Sequence, residues 1–249
     1  MGIKRIFNWQ VALGVILIAL SVIVYVIHYI IFRDVHHIFI YLIGDIAFVF
    51  FEVLLVTLIL HKLLSSREKL SMLKKLNMVI GAFFSEVGTE LIAKFSVFDV
   101  DFSHIAKELS GLGGWTRRDF ARFDKDIKRR EASIDLSGGG LVVLNDFLVE
   151  KRPFLLNLLE NPNLLEHESF TNLLWAVFHL TEELSFRQDL IGLTDTDLEH
   201  VAGDIKRAYQ LLIHEWLSYM LHLQRNYPYL FSLASRTNPF NPNARVEVR

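Results

Sequence analysis

Residues 38–60 read IFIYLIGDIAFVFFEVLLVTLIL, an apolar run broken by two charges, Asp45 and Glu52. As a helix rising about 1.5 Å per residue it spans roughly 34 Å, enough to cross the ~30 Å hydrocarbon core of a bilayer. Just upstream, residues 11–32 form a second run whose polar interruptions are Ser21 and His28. That run is too long for a cleaved leader, whose apolar core covers about 7–15 residues, and no small-residue cleavage site follows it. Two such runs joined by residues 33–37 predict a transmembrane hairpin.

The basic residues orient it. Lys4 and Arg5 precede the first run, and Lys62, Arg67, Lys69, Lys74 and Lys75 follow the second, whereas the connection holds Arg33 offset by Asp34. Positive flanks stay inside. Both termini are therefore expected in the cytoplasm, the prokaryotic inner membrane being the natural setting, with the tight turn outside.

Beyond residue 64 the apolar spacing is mostly three and four, and no alternating strand stands between turns. The expected fold is all-α. A hairpin covers residues 1–64, and a cytoplasmic helical bundle covers 65–236, its first helix continuous with the second span. An irregular tail covers 237–249. Within the bundle, Ser65 to about Phe95 reads as one helix, Asp101 or Ser103 caps a short one, and Thr116 caps a charged one through about Ala132. Helices then start at Leu141, with a break expected at Pro153, at Ser169, at Thr194 or Asp195, and at Tyr229. Two glycine stretches, Gly111 to Gly114 and Gly138 to Gly140, have no preceding strand and no Lys-Ser/Thr, so they read as helix breaks rather than phosphate loops.

Stepping alternately three and four residues along the second span gives one stripe: Leu42, Asp45, Val49, Glu52, Val56, Ile59, Leu63, Ser66, Leu70, Leu73, Asn77, Ile80, Phe84, Val87, Leu91. Both acids fall on it. Seven residues apart, their azimuths differ by only about 20° on a straight helix. A carboxylate in hydrocarbon costs roughly 2.5–3.5 kcal/mol even on lenient insertion scales, and two spans are too few to hide two of them. Self-association shelters both. Asp45 and Glu52 then form stacked acidic rings, with Val49, Val56 and Ile59 lining the same pathway, and acidic rings favour cations. Leu63, Leu70, Leu73, Asn77, Ile80 and Phe84 continue the stripe as a coiled-coil-like oligomer seam, with Asn77 as the polar register residue. The leading expectation is a homo-oligomeric ion channel with cation preference, its partners being the bilayer, further copies of itself and cations. The alternatives are an Asp45–His28 pair within one hairpin, and a membrane-anchored scaffold or sensor that binds a cytosolic protein.

Other chemistry is thinner. His28, His36 and His37 cluster near the turn beside Asp34, a donor set suited to zinc or copper. Glu86, Glu90, His179, Glu182, Glu183, Glu199, His200, His214 and Glu215 recur at helical spacing, but Glu-x-x-His is absent, so they read as solvated or capping charges rather than a di-iron bundle. The run from Arg117 to Arg130 alternates basic and acidic residues, as in a solvated, ion-paired helix. The 249 residues contain no cysteine, which excludes disulfides, thiolate metal sites and cysteine nucleophiles. The formal charge of −2 speaks against nucleic-acid binding. No catalytic or nucleotide motif appears, so neither an enzyme nor a cofactor is expected.

Overall fold

A long apolar run without proline has one inexpensive way to satisfy its backbone, and the first two elements take it: α1 (Ile3–Phe32) and α2 (Val35–Phe83). The computed structural model describes residues 3–130, 132–162, 164 and 167–247, with the backbone alone at 3–8, 10, 37 and 68–74. The turn between α1 and α2 is tighter than expected. Arg33 adopts a left-handed φ of 50°, its N–H donates to the Tyr29 carbonyl at 2.8 Å, and Asp34 accepts from the His36 N–H at 2.9 Å. A left-handed residue ends one helix and an Asx cap starts the next.

Every regular element among the described residues is helical. Three stretches are long and apolar enough to cross a membrane: Val11–Phe32, Ile38–Arg67 and Lys75–Ser96. Burial separates them, at 0% for the first two and 44% for the third. The chain divides between Lys69 and Leu70 into two units. In the first, the half-buried side chains and glycines among the described residues are Gly14, His28, Ile38 and Leu42, and everything else is exposed.

The second unit has its own core. The end of α2 passes through a π-helical turn, Phe84–Gly88, into α3 (Thr89–Ser96). The Thr89 hydroxyl donates to the Phe84 carbonyl at 2.7 Å, closing the widened turn. Phe83 and Phe84 are both buried, Phe83 edge-on to Phe170 and Phe84 stacked on Tyr219 with centroids 5.1 Å apart. Gly88 makes room for them, since a Cβ there would lie 2.6 Å from Phe84 Cδ1. Then follow α4 (Phe102–Leu109), a 3₁₀ turn (Leu112–Gly114), α5 (Arg117–Arg129), α6 (Leu141–Leu159), α7 (Glu168–Ser185), α8 (Asp195–Asn226) and α9 (Pro228–Arg236). The long α8 is the central post, with α3, α5, α7 and α9 against it and α6 against α7. Its buried face includes Val201, Ile205, Tyr209, Leu212, Trp216 and Met220.

Local chemistry sets the helix ends. Asp119 accepts from both the N–H (2.8 Å) and the hydroxyl (2.7 Å) of Thr116 at the start of α5. The Thr194 hydroxyl accepts from the Asp197 N–H at 3.3 Å at the start of α8. Asp101 stands before α4 without a side-chain cap and pairs instead with Arg130 at 3.2 Å. The charged helix is ion-paired as expected, through Arg122–Asp119 and Lys128–Asp124.

One expectation is corrected. Pro153 does not break α6. Its missing N–H orphans the carbonyl one turn back, at Val149, which is exposed and so can be hydrated. The segment from residue 237 is irregular, as expected, and its start is packed into the core. Phe240 is fully buried against Trp216, and Asn238 is buried, donating to the Leu109 carbonyl at 2.9 Å while accepting from the Phe240 N–H at 3.0 Å.

Candidate functional site

In the first unit, Asp45 and Glu52 are exposed along α2, and among the described residues neither has a hydrogen bond or ion pair. Val49, Val56 and Ile59 on the same stripe are about half exposed, at 46%, 51% and 51%. Leu63 is likewise exposed. Asp45 also borders a cleft of about 360 Å³ between α1 and α2, with Val24, Tyr25, His28, Ile38 and Tyr41. Nδ1 of His28 is buried there without a hydrogen-bond partner, and its ring packs on Phe32 at 4.7 Å. His28 and Asp45 thus share one cleft without forming an ion pair. Glu52 lies two turns further along α2.

The histidine cluster near the turn does not assemble. His28 sits inside the cleft, a turn back on α1, while His36 is exposed at the start of α2, and the side chain of His37 lies outside the described residues. Among the described residues no group of three or more His, Asp or Glu side chains is placed to hold a metal ion.

The oligomer seam is corrected in its last part. Ile80 and Phe84 are 4% and 2% exposed and belong to the core of their own unit. A helix buried in a bundle shows the same three-and-four spacing as a coiled coil, so the stripe alone cannot tell them apart. Asn77 is half-buried and borders an apolar groove with Gly81, Tyr219, His222 and Tyr227. The side chains of Leu70 and Leu73 lie outside the described residues.

The charges read as solvated helix faces divide three ways. Glu90 pairs with Lys94 at 3.3 Å on the surface, and His214 pairs with Asp124. Glu215 is buried. The rest meet. Nε2 of His179 (α7) and Nε2 of His200 (α8) stand 3.4 Å and 3.5 Å from Oδ2 of Asp204. Glu183 lies 4.0 Å from His179 and 3.7 Å from His200. Arg187 grips Glu183 at 2.7 Å and Asp197 at 2.8 Å, and Arg207 reaches Asp204 at 3.3 Å. The hydrogen bond from Arg187, helped by the nearby imidazoles, holds the Glu183 carboxyl below its usual range, and the bond to Asp197 raises the Arg187 guanidinium. The signal was a doubled one, His179-x₃-Glu183 and His200-x₃-Asp204, each pair one helical turn apart on facing helices. Asp204 had not been singled out, and a search confined to Glu-x-x-His passes over this spacing.

Comparison with known proteins divides the chain in a similar place. Residues 4–64 match the family described as "MJ1433, N-terminal helical domain", and residues 72–236 match "Uncharacterized protein MJ1433, C-terminal helical domain". The chain is 45% identical over 234 residues to the protein titled "Uncharacterized protein MJ1433" from Methanocaldococcus jannaschii, covering 94% of each. No solved structure matches it.

Proposed function

The chain belongs to the MJ1433 family, and from that premise we propose a homo-oligomeric membrane protein that passes cations along its acidic second helix. α1 and the first part of α2 are the two crossings. The apolar stretch Lys75–Ser96 is not a third, because its apolar side is already spent on the core of the second unit. Both termini lie on the cytoplasmic side.

The observation that carries this reading is the pair Asp45 and Glu52, both exposed and, among the described residues, without a hydrogen bond or ion pair. In a bilayer such a surface is satisfied by lipid everywhere except at the two acids, which need protein, water or cations. Copies of the hairpin packed through the stripe Asp45, Val49, Glu52, Val56, Ile59 and Leu63 supply all three. Association is confined to the membrane part, since Ile80 and Phe84 are occupied within their own unit.

The test is cation flux through purified protein in liposomes under imposed voltage, pH and tension, beside Asp45→Asn and Glu52→Gln. Expected are selective cation flux, loss of selectivity in both variants, and a detergent-solubilised particle of four or more chains. Absence of flux under all conditions, or a particle of one or two chains, overturns it. A second reading, a membrane-anchored scaffold or sensor for a cytosolic protein, is favoured by the self-sufficient core of residues 70–247. It takes over if flux is absent and crosslinking of the full chain in its membrane recovers a partner that the Asp45 and Glu52 variants retain.

A further inference from the structure

Basic and acidic residues alternate along α5 in sequence, but the fold sorts them by sign. At about 100° per residue, Arg117, Lys128, Lys125, Arg118, Arg129 and Arg122 fall within one arc of about 140°, with Ala121 the only uncharged residue inside it. All seven are exposed. Phe120, Phe123 and Ile127 are buried on the opposite side. The acids stand at the edges. Asp119 is turned back to the N–H and hydroxyl of Thr116, and Asp124 is held by His214 of α8. Each also takes one basic partner, Arg122 at 3.3 Å and Lys128 at 2.9 Å. Asp126 is exposed just outside the arc. Arg117, Arg118, Lys125 and Arg129 have no ion pair among the described residues.

This arrangement is costly to the helix alone. Arg118 and Arg122, and again Lys125 and Arg129, are like charges one turn apart, a spacing that destabilises an isolated helix. An anionic surface laid along the arc, about 18 Å in length, removes that repulsion. Two features favour a bilayer as that surface over a nucleic acid or an acidic protein. The arc holds no aromatic side chain on which a base could stack. The chain as a whole carries a formal charge of −2, so it has no overall field to draw a polyanion from solution. A bilayer needs no such field, because unbroken backbone joins the second unit to the apolar hairpin and keeps lipid at high effective concentration. The cytoplasmic leaflet is the anionic one.

We propose that the outer arc of α5 docks on anionic lipid headgroups, with Arg117, Arg118, Lys125 and Arg129 making the contact. The inference rests on the membrane placement of the hairpin and not on cation passage.

The chain has no cysteine, so a fluorophore on Ala121→Cys reports from the middle of the arc. Full-length labelled protein is reconstituted into vesicles of phosphatidylcholine alone, or of phosphatidylcholine with phosphatidylglycerol, each carrying a headgroup-attached quencher. Expected is quenching in the anionic vesicles at low salt, little in the neutral ones, and release as salt rises toward about 1 M, where the screening length falls to about 3 Å. Arg117→Gln, Arg118→Gln, Lys125→Gln and Arg129→Gln each lower the docked-to-free ratio about fivefold, whereas Asp126→Asn does not lower it. The salt response is read on the intact arc, so it stands even where a variant folds poorly. Flotation with neutral vesicles reports the hairpin separately. Protein that fails to float overturns the membrane reading and this docking face with it. Protein that floats but is quenched equally in neutral and anionic vesicles, or without response to salt, overturns the docking face alone. Binding of duplex DNA or polyglutamate in preference to the anionic vesicle, with the label released from the bilayer, overturns it in favour of a soluble polyanion.

Discussion

Replacing Asp45 and Glu52 together by leucine tests the assembly on which the proposed function turns. In a lone hairpin both acids stand exposed on an apolar helix, with no partner among the described residues. Each costs about 2.5–3.5 kcal/mol against lipid, so the separated chain carries roughly 5–7 kcal/mol that association can relieve. Part is recoverable without association, because Asp45 borders the cleft with His28 and local water can follow it. Glu52 has no such cleft, and its share alone, about 2.5 kcal/mol, corresponds to nearly a hundredfold in an association constant. The double leucine variant is therefore expected to associate between about 10² and 10⁵ times more weakly than the wild type, though it is the more apolar chain. The assay is energy transfer between labelled chains in liposomes, diluted with lipid at constant label ratio. Dissociation in the variant moves to a higher protein-to-lipid ratio. A leucine variant that associates as tightly as the wild type, or more tightly, refutes the reasoning, for the helices would then be held by packing alone.

Three further outcomes follow from the second unit. Gly88→Val pushes a branched side chain into Phe83 and Phe84, whose atoms a Cβ would meet at 2.8 Å and 2.6 Å, and such overpacking costs about 1–3 kcal/mol, read as a lower urea midpoint. Phe240→Ala empties a fully buried site beside Trp216 and lowers unfolding stability by about 3–5 kcal/mol, whereas the exposed Val246→Ala stays within about 0.5 kcal/mol. Glu183 has its carboxyl lowered by Arg187 from an ordinary 4.5, so it binds fewer protons folded than unfolded. Its stabilisation is present above that ordinary value and lost as pH falls through the lowered one. The thermal-midpoint advantage of wild type over Glu183→Gln should be full near neutral pH and vanish in strong acid; an advantage that persists there contradicts the assignment.

Much of the architecture is legible in the residues alone, because the responsible forces are local. Apolar runs of bilayer length, Thr116 and Thr194 before charged first turns, and glycines between periodic stretches mark helices and their ends within a few positions. Pro153 misleads because proline removes one hydrogen bond, and the cost depends on whether water reaches the orphaned carbonyl, which only the packed structure reveals. The π turn at Phe84–Gly88 has no sequence marker beyond Gly88, yet it turns two adjacent phenylalanines inward where a regular helix would part them by about 100°.

The misreading of the stripe beyond Asn77 has a sharper cause. Periodicity reports that a face is buried and is silent on what buries it. For Phe84 the cover is α8, more than a hundred residues away in the chain, with Tyr219 stacked on it, and Ile80 joins the same buried cluster. Asp45 and Glu52 are exposed, and among the described residues neither has a hydrogen bond or ion pair. One continuous three-four pattern therefore spans two different burial problems, solved internally below the division at residue 70 and left unsolved above it. The same argument explains why the α7/α8 cluster escaped notice. His179, Glu183, His200 and Asp204 sit at ordinary solvated-helix spacing, and their meeting depends on the loop at 186–194 folding α8 back antiparallel onto α7. What sets the cluster apart from solvated charge is the burial of Asp204, a tertiary property that pairwise spacing on one helix cannot encode.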